Sequence, residues 1–151
     1  MTADPITDGL QRVLDAQHLA VYGYPVIGVR LADQAEANRA RQLEAAHRLS
    51  RDAVAGQLVD RHASPDASAT DYPPPAPVIN RAAALGWAVR IEESSAAAYR
   101  YLLGCAVRAG GEQTALRRLA VTGLTDAAKA AAYWRGLMVA SRPTVPFPGV
   151  S

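Results

Sequence analysis

Apolar and polar residues alternate along this chain with the spacing of amphipathic α-helices, in four successive stretches. The first pattern is the clearest, and its inward positions recur in steps of four and three at Leu10, Leu14, Gln17, Val21, Tyr24, Gly28 and Leu31. This spacing predicts a helix with one buried face. Thr7 or Asp8 is expected to cap its start. Because Pro25 lacks a backbone N–H, we expect a kink or a π-type irregularity between Val21 and Pro25.

The next three stretches predict helices of similar length. The second helix is expected over residues 34–61, with an inward face formed by Leu43, His47, Ser50, Val54 and Leu58. The third is expected over residues 78–108, before two glycines, with a buried face formed by Leu85, Ala88, Glu92, Ala96, Tyr99, Leu103 and Ala106. The fourth is expected over residues 112–140, through Leu116, Leu119, Gly123, Ala127, Ala130, Trp134 and Leu137. Gly123 followed by Thr125 allows a break in this helix, because threonine is a good N-cap.

Residues 62–77 differ from the helical stretches, since they are rich in serine, aspartate, alanine and proline. Proline opposes helix formation, so this segment predicts an irregular connector. About 16 extended residues reach roughly 50 Å, whereas a helix of about 26 residues is roughly 39 Å long. The connector can therefore cross the whole molecule. We predict one all-α domain over residues 1–151, an antiparallel ferritin-like four-helix bundle with this long crossover and an irregular tail at 143–151.

Composition narrows the functional classes. The chain has 151 residues, of which 50% are hydrophobic and 20% charged, and its formal net charge is +2. Arginines are interleaved with acids and form no basic stripe, so we expect no nucleic-acid partner. No apolar run approaches the roughly 20 residues of a membrane span, and the acidic N-terminus predicts no signal peptide. The single cysteine, Cys105, excludes an intramolecular disulfide and favours a cytoplasmic location.

A cluster of polar residues lies on the predicted buried faces. Bundles that bind two iron or manganese ions supply one glutamate from each of two helices and a Glu-x-x-His pair from each of the other two. The spacing of that pair places a carboxylate and an imidazole on one helical face. Helix two has such a pair in Glu44 and His47, and helix three offers Glu92, with Glu93 beside it. These residues are candidates for metal binding or acid–base chemistry.

The cluster is incomplete as a site for two metal ions. Helix one presents Gln17 where a carboxylate is wanted, and helix four has no acid or histidine over residues 127–138. A neutral amide is a poor replacement for a hard anionic ligand. Gln17, His47 and Glu92 are nonetheless expected at one depth, because helices one and two fold back near Asp33 and the other two residues lie near mid-helix.

Three interpretations of this cluster stay open. The first, which the sequence favours, is a buried hydrogen-bonded network without a cofactor, in a binding or interaction protein for an unknown small molecule or protein. The second is a single divalent metal ion held by Glu44, His47 and Glu92. The third is a metal-free enzyme in which His47, oriented by Glu44 or Glu92, acts as a general base. The cavity of such an enzyme would be lined by Gln17, Tyr24, Tyr99 and Trp134.

Several fragments of the sequence resemble an alanine-rich, ferritin-like family of bacterial proteins of unknown function. These fragments are Ala16 to Tyr24, His47-Arg48 with Arg51-Asp52, Tyr72 before the prolines, an acid before Ala96 to Arg100, Trp134-Arg135, and Phe147 to Gly149. The resemblance covers nearly the whole chain and implies a ferritin-like bundle, often a homodimer, with no established activity. The chain departs from the family's pattern at Gln17, where glutamate is usual, and at Pro25, where glycine is usual.

Overall fold

The structure is a computed structural model that describes residues 4–138 and 147–150. Its four α-helices are α1 (Pro5–Gly28), α2 (Gln34–Asp60), α3 (Arg81–Arg108) and α4 (Thr114–Gly136). No strand occurs among the described residues. The predicted all-α four-helix bundle is therefore confirmed. No helix in the described ranges is both long and apolar enough to cross a lipid bilayer.

The start of α1 differs from the prediction. The helix begins at Pro5, and the Asp4 side chain caps it by accepting hydrogen bonds from the backbone N–H groups of Ile6 and Thr7. Proline suits this first position because its missing N–H would have no partner inside the helix. The expected cap at Thr7 or Asp8 is therefore wrong. The chain stays α-helical through Pro25, so the predicted π-type irregularity is absent there.

The start of α3 and the middle of α4 also differ from the sequence-based prediction. Asn80 has an extended backbone, and its side chain caps α3 by accepting a hydrogen bond from the N–H of Ala83 at 2.9 Å. The helix therefore starts three residues later than predicted. In α4 the Thr125 hydroxyl donates to the carbonyl oxygen of Val121 at 2.8 Å, a bond typical of threonine inside a helix. The break considered at Gly123 does not occur, because α4 is continuous there.

The path of the chain follows from which helices touch. α1 packs against α2 and α3, and α3 packs against α4. Gly9 lies against Leu102 whereas Gly23 lies against Ile91, so α1 and α3 run antiparallel. Because the short turn after α1 also makes α2 antiparallel to it, α2 and α3 are parallel. The connection over residues 61–80 therefore crosses the length of the bundle, as its length predicted, and the side between α2 and α4 is the most open.

The crossover is attached to the outer face of α1. The Gln11 side chain donates to the carbonyl oxygen of Ser64 at 2.8 Å, and a ring nitrogen of His18 lies 3.3 Å from the carbonyl oxygen of Asp66. Further along, the hydroxyl of Tyr72 donates to the Asp15 carboxylate at 3.3 Å. These bonds hold an irregular segment in place without any secondary structure of its own.

The core consists of two apolar clusters separated by a polar layer. One cluster is built around Tyr24, Ile27, Leu85, Ile91 and Trp134. The other is built around Leu10, Val13, Leu58, Leu102 and Leu116. Of the predicted tail, residues 143–146 and 151 lie outside the described residues. Gly149, at a φ of 80°, lies against the backbone of Ala96, where a side chain would overlap the Ala96 carbonyl oxygen.

Candidate functional site

The polar layer lies at the middle of the bundle, between the two apolar clusters. It contains Gln17 from α1, His47 from α2, and Glu92 and Ser95 from α3. The exposed fraction of each residue is small: 0% for Gln17, 8% for His47, and 1% for Glu92 and for Ser95. Burial of polar groups at this depth is costly unless they bond to one another. The sequence-based expectation that the first three residues share one depth agrees with this geometry.

Both ring nitrogens of His47 contact protein oxygen atoms. Nδ1 lies 2.7 Å from Oε1 of Gln17, and Nε2 lies 3.1 Å from Oε1 of Glu92. The amide of Gln17 is held in turn, because its Nε2 donates to the hydroxyl oxygen of Ser95 at 3.1 Å. Oε1 of Gln17 and Oε1 of Glu92 are acceptor atoms, so each ring nitrogen faces a hydrogen-bond acceptor. The imidazole is thereby fixed from two sides.

An aromatic pair extends the network on the Glu92 side. The Tyr24 hydroxyl donates to Oε1 of Glu92 and accepts a hydrogen bond from Nε1 of Trp134 at 2.9 Å. The Tyr24 ring also stacks on the His47 ring, with 5.6 Å between centroids. Burial, reinforced by the neighbouring Glu92 carboxylate, raises the pKa of Tyr24 well above its ordinary value. The hydroxyl therefore stays protonated and continues to donate.

A small recess borders the polar layer. Its volume is about 60 Å³, and its lining is formed by Gln17, Leu43, Ala46, His47, Ser50, Glu92, Ser95, Tyr99, Gly123, Asp126 and Ala127. A recess of this size has room for a few water molecules. Tyr99 and Gln17 line it as predicted. Tyr24 and Trp134, predicted as cavity-lining residues, are absent from this lining.

The Tyr99 side chain separates the recess from the protein surface. Its ring packs directly beneath Gly123, where any Cβ atom would overlap the ring. Burial raises the pKa of Tyr99, while its hydrogen bond with Ser50 acts in the opposite direction. The phenol is therefore neutral near pH 7 and offers a hydroxyl to the recess.

A wider cleft between α2 and α4 lies outside the recess. Its volume is about 410 Å³, and its lining is formed by Ser50, Ala53, Val54, Tyr99, Ala115, Arg118, Leu119, Thr122, Gly123 and Asp126. Four of these residues, Ser50, Tyr99, Gly123 and Asp126, also line the recess. The cleft is therefore an external groove whose inner end reaches the polar layer.

Two predicted acids lie elsewhere. Glu44, predicted as a partner of His47 in catalysis or metal binding, instead accepts hydrogen bonds from Arg48 at 2.6 and 3.1 Å on the outside of α2. An arginine one turn along the same helix competes for this carboxylate more easily than a buried imidazole does. Glu93 pairs with Arg135, which leaves Glu92 as the inward acid of α3. The structure does not bring Glu44 into the polar layer, contrary to the prediction.

Three lining residues were absent from the predicted site. Ser95 follows Glu92 by three positions and therefore shares its helical face, which is a signal that the sequence carried. Ser50 was placed on the inward face of α2 but given no role. Asp126 follows Gly123 by three positions on α4 and lies one residue before the range 127–138, which was predicted to contain no acid.

The donor set does not fit a dinuclear metal site. Among the described residues, no group of three or more histidine, cysteine, aspartate or glutamate side chains could hold a metal ion. His47 and Glu92 bond to each other, and the only acid that α4 adds to the recess is Asp126. Two divalent ions need more anionic ligands than this layer supplies.

Comparison with known proteins agrees with the fold. The model of the family described as "Domain of unknown function (DUF4439)" matches residues 9–151. The chain is also similar to the crystal structure of a conserved hypothetical protein, rv2844, from Mycobacterium tuberculosis, with 26% identity and a TM-score of 0.81. That similarity covers 91% of this chain and 100% of the other. No curated protein matches the sequence.

Proposed function

The chain belongs to the DUF4439 family, and the buried polar groups of its mid-bundle layer bond to one another. We propose that it is a binding protein whose polar layer is structural. In this proposal the layer holds the helices in register and performs neither catalysis nor redox chemistry. Binding takes place in the external cleft between α2 and α4. Membership of the family leaves the activity open, so the proposal depends on the site itself.

The engagement of both His47 ring nitrogens carries the proposal. A general base needs an imidazole lone pair directed at its substrate, and a metal ligand needs one directed at the ion. Here Nδ1 faces Gln17 and Nε2 faces Glu92, both within hydrogen-bonding distance. Freeing Nδ1 would leave the buried Gln17 oxygen without a donor, at a cost of about 1–3 kcal/mol, and freeing Nε2 would leave Glu92 with only the Tyr24 hydroxyl. The geometry therefore favours a structural role over a metal-free catalytic pair or a single metal ion.

The cleft has the features of a ligand site. Its volume of about 410 Å³ lies within the usual range of about 300–1,000 Å³ for small-molecule sites. Four of its ten lining residues are alanine, valine or leucine, the Tyr99 ring adds apolar surface, and hydroxyl and charged groups come from Ser50, Tyr99, Arg118, Thr122 and Asp126. An apolar surface with a few directed polar groups is typical of small-molecule binding.

The connectivity supports a closer placement within the ferritin-like superfamily. One long crossover joins two parallel helices, which is the connectivity of ferritin-like bundles. In this view the layer formed by Gln17, His47 and Glu92 occupies the mid-bundle position at which related bundles hold metal. We place the protein in the cytoplasm, with its buried Cys105 thiol free, and expect no nucleic-acid partner because its charges are interleaved.

A homodimer is also part of the proposal. Leu49 and Val121 are large apolar residues that are 73% and 48% exposed on α2 and α4. Contact between two copies would remove such surface from water. Light scattering at high micromolar concentration is expected to give the mass of two chains. A monomer mass under these conditions would contradict the dimer without affecting the proposed role of the polar layer.

Metal uptake tests the structural role of the layer. Protein purified aerobically and incubated with Fe(II) is expected to bind well under two irons per chain, with no fast ferroxidase phase. Any weak uptake should be the same in His47→Leu, because it would occur at surface carboxylates. Two bound irons with a bridging-oxo absorption band, or one tightly bound metal ion lost in His47→Leu, would refute the proposal.

A further inference from the structure

The inner end of the α2–α4 cleft has an excess of negative charge. The recess is lined by two carboxylates, Glu92 and Asp126, against one imidazole, His47. Carboxylates therefore outnumber basic side chains in the lining of the recess. Asp126 forms no hydrogen bond or ion pair with any described residue. This carboxylate therefore lies at the mouth of the recess without a cationic partner.

The other groups at the inner end are hydrogen-bond acceptors as well as donors. The hydroxyls of Ser50 and Tyr99 border the recess. Each hydroxyl oxygen keeps a lone pair that can accept a further hydrogen bond. An ammonium group has three N–H donors and no acceptor. Its charge and its donors both match a recess with an uncompensated carboxylate and two hydroxyl oxygens.

Apart from Thr122, the remaining wall of the cleft is apolar and contains a single cation, Arg118. Ala53, Val54 and Leu119 border the cleft away from the recess, and Arg118 lies beyond them on α4. Arg118 and Asp126 are eight residues apart on one helix, which corresponds to roughly 12 Å along its axis. Arg118 has no hydrogen bond or ion pair with the described residues. A ligand along this wall therefore meets a carboxylate at one end and a guanidinium at the other.

We propose that the α2–α4 cleft binds an aliphatic primary amine, with its ammonium group at Asp126 and its hydrocarbon chain along Ala53 and Leu119. The inference rests on the proposed function, because it takes the cleft as the binding site and leaves the polar layer intact. It also predicts selectivity at the far end. Arg118 repels a second ammonium group and attracts a carboxylate, so the cleft prefers a long ω-amino carboxylate and discriminates against a diamine of the same length.

Titration of the full chain with simple probes tests the charge preference. Hexylamine, hexanol and hexanoate share one hydrocarbon chain and differ in the head group. Two-dimensional NMR is expected to show that millimolar hexylamine shifts the backbone amides of Tyr99 and Gly123, with at least tenfold weaker binding of hexanol and hexanoate. Equal binding of hexanol and hexylamine would overturn the proposal, since an apolar groove alone would then explain the affinity.

Variants locate the two ends of the ligand. Asp126→Asn should weaken hexylamine binding about tenfold, whereas Asp60→Asn, which removes an exposed carboxylate at the end of α2, should leave it unchanged. Arg118→Gln should abolish the preference for ω-aminooctanoate over diaminooctane. An equal loss of hexylamine affinity in Asp126→Asn and Asp60→Asn would show that only the net charge of the protein matters, and would refute the site.

The two proposals fail separately. If no probe shifts the cleft amides, the amine site is refuted, while the structural role of the polar layer stands on its metal and stability tests. If His47→Leu removes a tightly bound metal ion, the proposed function is refuted whatever the amine titration shows.

Discussion

Truncation of His47 tests whether the polar layer is a structural network. His47→Ala removes the donors to Gln17 and Glu92 but leaves those two side chains buried. The informative comparison is a combined variant in which the layer becomes apolar, with Gln17→Leu, His47→Leu, Glu92→Leu and Ser95→Ala together. In that variant few buried polar groups are left without a partner. The two variants therefore separate the cost of unsatisfied polar groups from the loss of the network as a whole.

The expected magnitudes follow from the geometry. In His47→Ala the Gln17 carbonyl loses its donor, and the Glu92 carboxylate, 1% exposed, keeps only the Tyr24 hydroxyl. Unsatisfied buried groups cost about 1–3 kcal/mol, and the cavity left by the ring adds to this. Water entering from the recess moderates the loss. In the combined variant the Tyr24 hydroxyl loses its acceptor but still accepts from Trp134, so the free energy of unfolding should fall by less than in His47→Ala.

Urea denaturation measures both free energies of unfolding, with the slope of the transition as a check on two-state behaviour. Glu44→Ala is the matched control, because Glu44 pairs with Arg48 on the surface and its loss should cost less than about 0.5 kcal/mol. A loss for His47→Ala no larger than that of the control would refute the buried network. A loss of several kcal/mol in the combined variant would refute the claim that these residues form one layer.

Two further predictions concern single side chains. Gly123→Ala places a methyl group in the Tyr99 ring and should destabilise the fold by about 1–3 kcal/mol. Its control, Gly86→Ala, lies in open space on α3 and should be neutral or stabilising by up to about 1 kcal/mol. Equal changes in the free energy of unfolding of the two variants would contradict the packing of Tyr99 against Gly123. Burial raises the pKa of Tyr24 above its unfolded value of about 10, so the native state keeps the phenol proton to a higher pH than the unfolded state does. The contribution of Tyr24 to the free energy of unfolding is therefore complete below pH 10 and is lost as pH rises further. Ultraviolet titration should show fewer ionising tyrosines in native wild type than after unfolding, and Tyr24→Phe should reduce that difference by one, leaving the part due to Tyr99.

The sequence predicted the helices and their buried faces well because apolar spacing is a local and repeated signal. It predicted the helix starts poorly, since capping depends on single residues that compete. Asp4 caps α1 in place of Thr7 or Asp8, and Asn80 sets the start of α3. The crossover was predictable from its proline content and length alone.

The site was predictable only in part, because helical spacing gives the face of a residue but not its partners. Gln17, His47 and Glu92 were correctly placed together, since each lies near mid-helix on an inward face. Glu44 shares a similar face, yet the choice between Arg48 and His47 depends on distances that the sequence does not contain. Asp126 follows the inward position Gly123 by three residues, so the spacing carried a signal for its face but not for its contact with the recess.

The long crossover has a consequence for how the molecule assembles. It divides the chain into two local hairpins, α1 with α2 and α3 with α4, whose internal contacts close short loops and can form first. The hairpins meet only after residues 61–80 have spanned the bundle. Glu92 contacts Tyr24 and His47 at that final step, and the sequence separation is 68 residues for Tyr24 and 45 for His47. Hairpins docked one turn out of place would enclose an unpaired carboxylate, so the polar layer selects the native alignment of the two halves.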